Sequence, residues 1–192
     1  MSDQTQGTHS SENGFAAQLQ EIGRRAKGRM MEGAVTPGYT LDRDTAIKVL
    51  NDALATEIVC WLRYLGHAFA ARGIHSEVVV AEFREHAAQE EEHLNLLAQR
   101  ISQLGGTANF DPNGIETRAH SNFVTSTQLD EMIRQDLEAE RVAIDIYREM
   151  ITWFGNQDPT TRRILEGILA QEEEHADDMA SLLTTFVDDA RT

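Results

Sequence analysis

The sequence has 192 residues, 41% of them hydrophobic, which is enough material for the core of one domain. A single cysteine excludes a disulfide framework and a thiolate metal site within the chain. The formal net charge of −15 argues against nucleic-acid binding by the globular surface and favours attraction of cations.

The N-terminal segment predicts a flexible arm, residues 1–38, in front of a domain at residues 39–192. The arm is polar, glycine-bearing and aperiodic, and its first residues carry no basic and apolar signal, so we expect a cytoplasmic protein. It contains a basic cluster of Arg24, Arg25, Lys27 and Arg29. These residues could contact DNA phosphates, but because the body is acidic we expect a solvated arm without DNA binding.

Helical periodicity and capping residues predict an all-α four-helix bundle. The expected helices are Asp44–Ala71, with Asp42 or Asp44 as its N-cap, Ser76–Leu104, Thr127–Phe154, and Pro159–Val187 with Asp158 as its N-cap. The roughly twenty residues between the second and third helices lack helical periodicity. A connection of this length predicts a crossover along the bundle that joins two parallel helices.

The hexapeptide Ala-Gln-Glu-Glu-Glu-His occurs twice, in the second and in the fourth predicted helix. The two copies contain the Glu-x-x-His pairs Glu90 with His93 and Glu172 with His175. Positions i and i+3 lie on one helical face about one turn apart, so each pair can hold a metal ion. Of the seven histidines, only these two follow a glutamate by three residues.

The repeat extends upstream of the hexapeptides. Glu57 and Glu140 precede the two pairs by 33 and 32 residues, and each is followed seven residues later by a tyrosine, Tyr64 or Tyr147. The chain is therefore two copies of one helical hairpin. One glutamate from each of two helices and one Glu-x-x-His from each of the others is the ligand set of di-iron carboxylate bundles.

Four glutamates inside a bundle repel one another unless cations balance them, and two divalent ions match their charge. Carboxylates with a minority of imidazoles suit iron or manganese, with zinc an alternative on affinity alone. By symmetry Glu90 and Glu172 face each other and are predicted to bridge the ions, with Glu57 and Glu140 as terminal ligands. A buried salt-bridge network is the alternative, but no lysine or arginine lies at these positions to complete one.

These motifs resemble those of ferritin-like di-iron proteins, and of bacterioferritins most closely, over about residues 45–187. The resemblance rests on both Glu-x-x-His pairs, the two single glutamates, Tyr64, and the Leu-Gly-Gly sequence that ends the second helix. It implies a ferroxidase centre that binds Fe(II), passes electrons to O2 or H2O2, and delivers Fe(III) to a mineral core inside an oligomeric shell. It also implies that the centre holds two iron ions.

Two features depart from the bacterioferritin pattern. Glu91 stands where those proteins have a haem-ligating methionine, so haem is not expected. Only residues 188–192 follow the fourth predicted helix, where bacterioferritins have a short fifth one. We therefore expect a shell of 12 subunits, like that of the Dps-like mini-ferritins, unless the N-terminal arm preserves the larger shell of 24. Ordinary Dps proteins build their metal sites between subunits, whereas all six ligands in this sequence can come from one chain.

Tyr64 and His86 are candidates for roles beside the metals. Each repeat tyrosine lies two turns from the glutamate of its own helix, close enough to bond a ligand, and the resemblance favours Tyr64 for a redox role. A core tyrosine is the structural alternative. Glu82, His86 and Glu90 form a polar stripe, which predicts that His86, with Glu82, relays iron inward. An ordinary surface or subunit-contact stripe is the competing interpretation.

Other functions use similar ligands. A rubrerythrin-like peroxidase has the same set, but its usual rubredoxin module needs paired cysteines, which this chain lacks. A di-manganese catalase fits the metal chemistry, although such chains resemble this one less. A DNA-coating Dps-type protein acting through the arm is the non-catalytic alternative.

Overall fold

The computed structural model describes residues 6–29, 33–73 and 76–189, without the side chains of residues 6–13 and 186–189. The chain divides into two compact units, Met1–Thr36 and Pro37–Thr192, which are considered separately. Within these limits the chain is helical and contains no strand. Among the described residues, no helix has both the length and the apolar character needed to cross a bilayer.

The first unit contains helix α1, Gln6–Lys27. This helix was not expected, because the sequence of the predicted flexible arm looks aperiodic. Phe15, Leu19 and Ile22 recur at helical spacing and form an exposed apolar stripe on α1. This short periodic signal lies within a polar segment, which explains why composition alone pointed to an irregular arm.

The second unit is built on four long helices with one short helix between the second and third of them. They are α2 (Arg43–Ala70), α3 (Ser76–Gln103), the single turn α4 (Ile115–Arg118), α5 (Leu129–Phe154) and α6 (Pro159–Asp189). The predicted all-α bundle is confirmed. Its long helices agree with the predicted ones to within two residues at each end, whereas α4 was not predicted.

Aspartate carboxylates cap the N-termini of α2 and α6, as the sequence predicts. The Thr45 backbone N–H donates to Asp42 Oδ1 over 2.8 Å, so Asp42 is the N-cap of α2. The Thr161 backbone N–H donates to Asp158 Oδ1 over 2.9 Å at the start of α6. Both bonds satisfy N–H groups that have no partner inside the helix. Gly155, with a φ of 48°, ends α5 in a conformation that favours glycine.

Side-chain contacts define the helix directions. On α2, Glu57 precedes Tyr64, but on α3 the partner of Glu57, His93, follows the partner of Tyr64, His86. The same reversal holds on α5, where Tyr147 bonds Glu57 and the earlier Glu140 bonds Tyr64. Helix α2 is therefore antiparallel to both α3 and α5, and α3 and α5 are parallel to each other. The predicted crossover between two parallel helices is confirmed.

A buried arginine ties the crossover to the bundle. Arg63 on α2 is 1% exposed, and its Nε donates to Asp136 Oδ1 on α5 over 2.8 Å. Its Nη1 donates to Ser121 Oγ, also over 2.8 Å, and to the Asn122 carbonyl in the crossover. His67 Nδ1 lies 2.9 Å from the second Asp136 oxygen. These contacts hold α2, α5 and the crossover in one register, which aligns the polar residues inside the bundle.

Candidate metal centre

All six predicted ligands lie inside the bundle, and none is more than 1% exposed. Their ligand atoms form two groups of four, within 4.8 Å of one another in each group: Glu57, Glu90, His93 and Glu172, and Glu90, Glu140, Glu172 and His175. Glu90 and Glu172 belong to both groups. The structure thus brings together two overlapping four-ligand clusters from one chain.

Each imidazole presents its Nδ1 atom to several carboxylates. His93 Nδ1 lies within 3.6 Å of oxygens of Glu57, Glu90 and Glu172. His175 Nδ1 lies 3.4 Å from Glu172 and 3.6 Å from Glu90. Both rings therefore direct a nitrogen into the space that the carboxylates surround, which is the arrangement a metal ligand needs.

Two glutamines orient these rings, and sequence analysis did not identify them. His93 Nε2 lies 2.8 Å from Gln171 Oε1, and His175 Nε2 lies 2.7 Å from Gln89 Oε1. An amide oxygen only accepts, so each Nε2–H donates and each Nδ1 is left to face the carboxylates. Gln89 and Gln171 are the second residues of the two hexapeptides, so their repetition was a signal that could have found them.

The two tyrosines bond across the repeat. Tyr64 on α2 donates its hydroxyl hydrogen bond to Glu140 on α5, and Tyr147 on α5 donates to Glu57 on α2. The expectation that each tyrosine is close enough to bond a ligand agrees with these contacts. The partner, however, is the glutamate of the opposite hairpin, because two turns along one helix separate each tyrosine from its own glutamate.

Unbonded polar atoms concentrate in this cavity, and this tests whether a metal fits. Among the described residues, the buried atoms without a hydrogen bond include both carboxylate oxygens of Glu90, both of Glu172, Glu140 Oε2 and His175 Nδ1. Buried polar atoms are normally paired, because an unpaired one is costly. Carboxylate oxygens with two imidazole nitrogens are donors that suit divalent iron or manganese. The residues fit a pair of such ions.

The pKa values reflect the crowding of charge. Burial, and then the neighbouring carboxylates, raise the pKa of Glu57 to about 8 and that of Glu172 to about 7. Burial alone would lower the pKa of both imidazoles. The close negative charge of the surrounding carboxylates outweighs burial and raises the pKa of His175 to about 12 and that of His93 well above its ordinary value. Without cations the cluster therefore retains protons, which metal ions must displace.

His86 lies directly beside this centre. Its ring stacks on His175, with ring centroids 4.1 Å apart, and its Nδ1 lies 3.2 Å from the Tyr64 hydroxyl. Burial, and then His175, lower the pKa of His86 to about 4. Its Nε2 lies 3.5 Å from both Glu82 and Asp178. Sequence analysis missed Asp178, although it follows His175 by three residues and so shares its helical face.

The chain is similar to proteins of known structure and description. Residues 47–187 match the ferritin-like domain family. A dodecameric thioferritin of Bacteroides fragilis, described as a bacterioferritin-related protein, is 30% identical with a TM-score of 0.75, over 90% of this chain and 97% of that one. A ferritin-like diiron-carboxylate protein of Bacillus anthracis is 26% identical with a TM-score of 0.66, over 75% of this chain and 99% of that one.

A curated protein is also similar to this chain in sequence. The DNA protection during starvation protein of Pyrococcus furiosus is 25% identical over 147 residues, which are 75% of this chain and 80% of the relative. The matched residues include α3 and α5, nearly all of α2 and α6, and every residue of the two ligand clusters. The chain therefore belongs to the ferritin-like domain family, and its buried Glu/His clusters are consistent with a di-metal site within one subunit.

Proposed function

We propose that this protein is a ferroxidase, which oxidises Fe(II) at a di-iron centre within each subunit and stores the Fe(III) in an oligomeric shell. The observation that carries the proposal is the sharing of Glu90 and Glu172 between two four-ligand clusters. Glu90 and Glu172 would hold two ions side by side, where each ion could give an electron to the same oxidant molecule. Glu90 and Glu172 are then the bridging ligands. The terminal ligands are Glu57, His93, Glu140 and His175.

The bound pair of iron ions supplies the redox chemistry, since each Fe(II) can give one electron to O2 or H2O2. The protein supplies binding, orientation and charge balance. Gln89 and Gln171 keep each Nδ1 turned toward the carboxylates. Tyr64 and Tyr147 hold the terminal carboxylates by hydrogen bonds, so those oxygens stay in place as ions arrive and leave. The resemblance to bacterioferritins also makes Tyr64 the candidate electron donor, and its hydroxyl contacts His86.

Iron is the proposed metal because the donors are mostly hard carboxylate oxygens with two imidazoles. Manganese suits the same donors, and zinc competes for the site on affinity alone. Haem is not proposed. A rubrerythrin-like peroxidase or a di-manganese catalase would use the same cavity, so the products of the reaction must distinguish these functions.

Storage requires a closed shell, because Fe(III) hydroxide released into solution precipitates. A shell of 12 subunits is supported by the similarity to the Bacteroides fragilis protein, which is described as dodecameric. Closed shells are made by symmetric repetition of one subunit. We therefore expect a native particle of about 12 times the 21.5 kDa chain, rather than 24 times.

DNA binding by the N-terminal segment is not part of the proposal. Arg24 and Arg25 both pair with Glu21, at 2.7 Å and 3.7 Å, so α1 offers less free positive charge than its composition suggests. The net charge of −15 opposes binding to a polyanion. A mobility shift of DNA that disappears when residues 1–38 are deleted would contradict this expectation.

The experiment that tests the function is aerobic addition of Fe(II), with the oxidation rate, iron content and particle size measured together. Wild-type protein should oxidise Fe(II) rapidly and keep the iron in a particle of shell size. Glu90→Ala and Glu172→Ala should each lower the oxidation rate by at least about 100-fold, because losing a bridging ligand costs more than losing an outer hydrogen bond. Glu91→Ala, an exposed change in the same hexapeptide, is the control.

Three results would overturn parts of this proposal. Wild-type oxidation rates in the Glu90 and Glu172 variants would overturn the assignment of the centre. Steady O2 evolution from H2O2 would favour a catalase over a ferroxidase. A stable monomer or dimer, with oxidised iron lost as a precipitate, would overturn storage.

A further inference from the structure

The polar cluster of Glu82, His86 and Asp178, which we call the outer cluster, lies next to the di-metal centre without belonging to it. Each residue offers a ligand atom, and these atoms lie within 4.8 Å of one another. Glu82 and Asp178 come from different helices, α3 and α6, and both are partly exposed, whereas His86 is 1% exposed. The cluster therefore joins a buried imidazole to two carboxylates that solvent can reach.

Hydrogen bonding assigns the tautomer of His86. The Tyr64 hydroxyl donates its proton to Glu140, so its oxygen can only accept from His86 Nδ1, 3.2 Å away. Neutral His86 then carries its proton on Nδ1 and a lone pair on Nε2. That lone pair faces oxygens of Glu82 and Asp178, each 3.5 Å away, which is the outer limit of a hydrogen bond.

Three electron-rich atoms facing one another are unfavourable unless a cation or a shared proton lies among them. In the described part of the chain, Glu82 and Asp178 form no ion pair except with His86. A divalent ion about 2.1 Å from each ligand atom would match nitrogen–oxygen separations of this size. His86, which is 1% exposed and directs its Nε2 atom at both carboxylates, is what distinguishes this cluster from ordinary surface acids.

The internal repeat provides a comparison for the cluster. The two Glu-x-x-His pairs are 82 residues apart, so Glu82 and His86 correspond to Ile164 and Ile168. Asp178 corresponds in the same way to Leu96. At the equivalent place in the other half of the bundle all three side chains are therefore apolar. The repeat requires no polar residues at these positions, so the outer cluster is a feature of one side alone.

We propose that Glu82, His86 and Asp178 form a third divalent-cation site, which loads the di-metal centre from one side. The site binds Fe(II), or another divalent ion of similar preference, through two carboxylate oxygens and one imidazole nitrogen. His86 stacks on His175 with centroids 4.1 Å apart, so an ion in this site lies beside the Glu140 and His175 half of the centre. Binding stands on this geometry alone, whereas the loading role rests on the proposed ferroxidase function.

Equilibrium dialysis against Zn(II), which is redox-inert, tests the binding. The double variant Glu82→Gln/Asp178→Asn keeps His86 and its Tyr64 contact and should bind one Zn(II) per chain fewer than wild type. Asp177→Asn, an exposed change next to Asp178, is the matched control and should bind as many ions as wild type. Thermal unfolding of the variants without metal checks that they are folded.

The same titration separates the third site from the di-metal centre. Glu90→Ala/Glu172→Ala should lose the inner ions and retain one, at the outer cluster. An unchanged number of ions in the Glu82→Gln/Asp178→Asn variant would overturn the third site, as would a proton on Nε2 that satisfies the cluster and prevents Zn(II) binding at neutral pH. The number of ions that remain in the outer variant tests the di-metal centre independently, with two expected.

Stopped-flow oxidation at Fe(II) concentrations below that of the centres tests the loading role. Removing the two outer carboxylates should lower the rate by at least about tenfold, because they attract and orient the incoming cation. The amount of Fe(II) finally oxidised should not change, since the inner ligands are intact. An unchanged rate in a variant that has lost the third Zn(II) would overturn loading and leave only a bound ion.

Discussion

The first hairpin, α2–α3, and the second, α5–α6, contribute matching groups to the metal centre and unlike groups around it. Each gives a single glutamate, a Glu-x-x-His pair, a tyrosine that bonds the opposite glutamate and a glutamine that bonds the opposite histidine. One turn further out, His86 on α3 corresponds to Ile168 on α6. The duplicated part provides two equal sets of candidate ligands, whereas the unlike part places polar residues beside one half of the centre and apolar residues beside the other.

A second difference between the hairpins lies at the crossover. Arg63 on α2 is buried and paired with Asp136, whereas its counterpart 83 residues later is Ile146. The arginine is needed on one side alone, because only that side has the long connection to hold. Variants that change first one hairpin and then the other can therefore separate the residues that the repeat requires from those that only one hairpin needs.

The largest effect is expected at Arg63. Arg63→Ala leaves Asp136 charged, buried and without its main partner, so the free energy of unfolding should fall by about 3–5 kcal/mol. Lys48→Ala removes an exposed ion pair with Asp52 and should cost no more than about 1 kcal/mol. Urea unfolding measures both. A cost for Arg63→Ala as small as that for Lys48→Ala would mean that the buried pair does not stabilise the bundle.

The glutamines test the matching part of the comparison. Gln89→Ala and Gln171→Ala each free one histidine ring, so each should weaken metal binding by about 10–100-fold. The two losses should be alike, because the bonds are alike in length. Gln99→Ala, an exposed change on α3, is the control and should bind metal as wild type does. Calorimetric titration gives the affinities, and a loss in only one glutamine variant would show that the two halves are not equivalent.

Proton release on metal binding tests whether the metal-free centre holds protons. The pKa of Glu57 is raised to about 8 and that of His175 to about 12, and the pKa of His93 is raised as well, so these groups carry protons at pH 7. Two cations should displace about three protons, and the affinity for each cation should fall by more than about tenfold for each unit that the pH falls. Calorimetry in two buffers of different ionisation enthalpy measures the release. Binding without proton release would show that these three groups are already deprotonated in the metal-free protein.

The smallest difference is expected between the tyrosines. Tyr64→Phe and Tyr147→Phe each remove one hydrogen bond to a terminal glutamate, but Tyr64 also contacts His86. One additional bond of about 0.5–1.5 kcal/mol should make Tyr64→Phe slower in Fe(II) oxidation than Tyr147→Phe by about two- to tenfold. Stopped-flow kinetics compares the two variants. Equal rates would leave Tyr64 no role beyond that of its counterpart.

Much of the bundle could be predicted because its signals are local. Spacings of three and four residues placed the long helices, and the repeat of Glu90 and His93 at Glu172 and His175 identified a candidate ligand set before any contact was known. The caps Asp42 and Asp158 follow from the same short-range chemistry.

What could not be predicted depends on the register between helices. The tyrosines bond the opposite hairpin, and Arg63 finds Asp136 across 73 residues of chain, so no local pattern specifies either contact. Asp178 joins the outer cluster only once α6 lies against α3. Helix α1 was missed for another reason, since its few apolar residues were outweighed by a polar composition.

Crystallography at the iron absorption edge tests the central claim most directly, which is that one chain holds both ions. Crystals of protein loaded with Fe(II) without O2 should show two anomalous peaks inside each subunit, both bordered by Glu90 and Glu172, with His93 beside one and His175 beside the other. Peaks that lie between subunits, or a cavity without any peak, would contradict a di-iron centre within one chain.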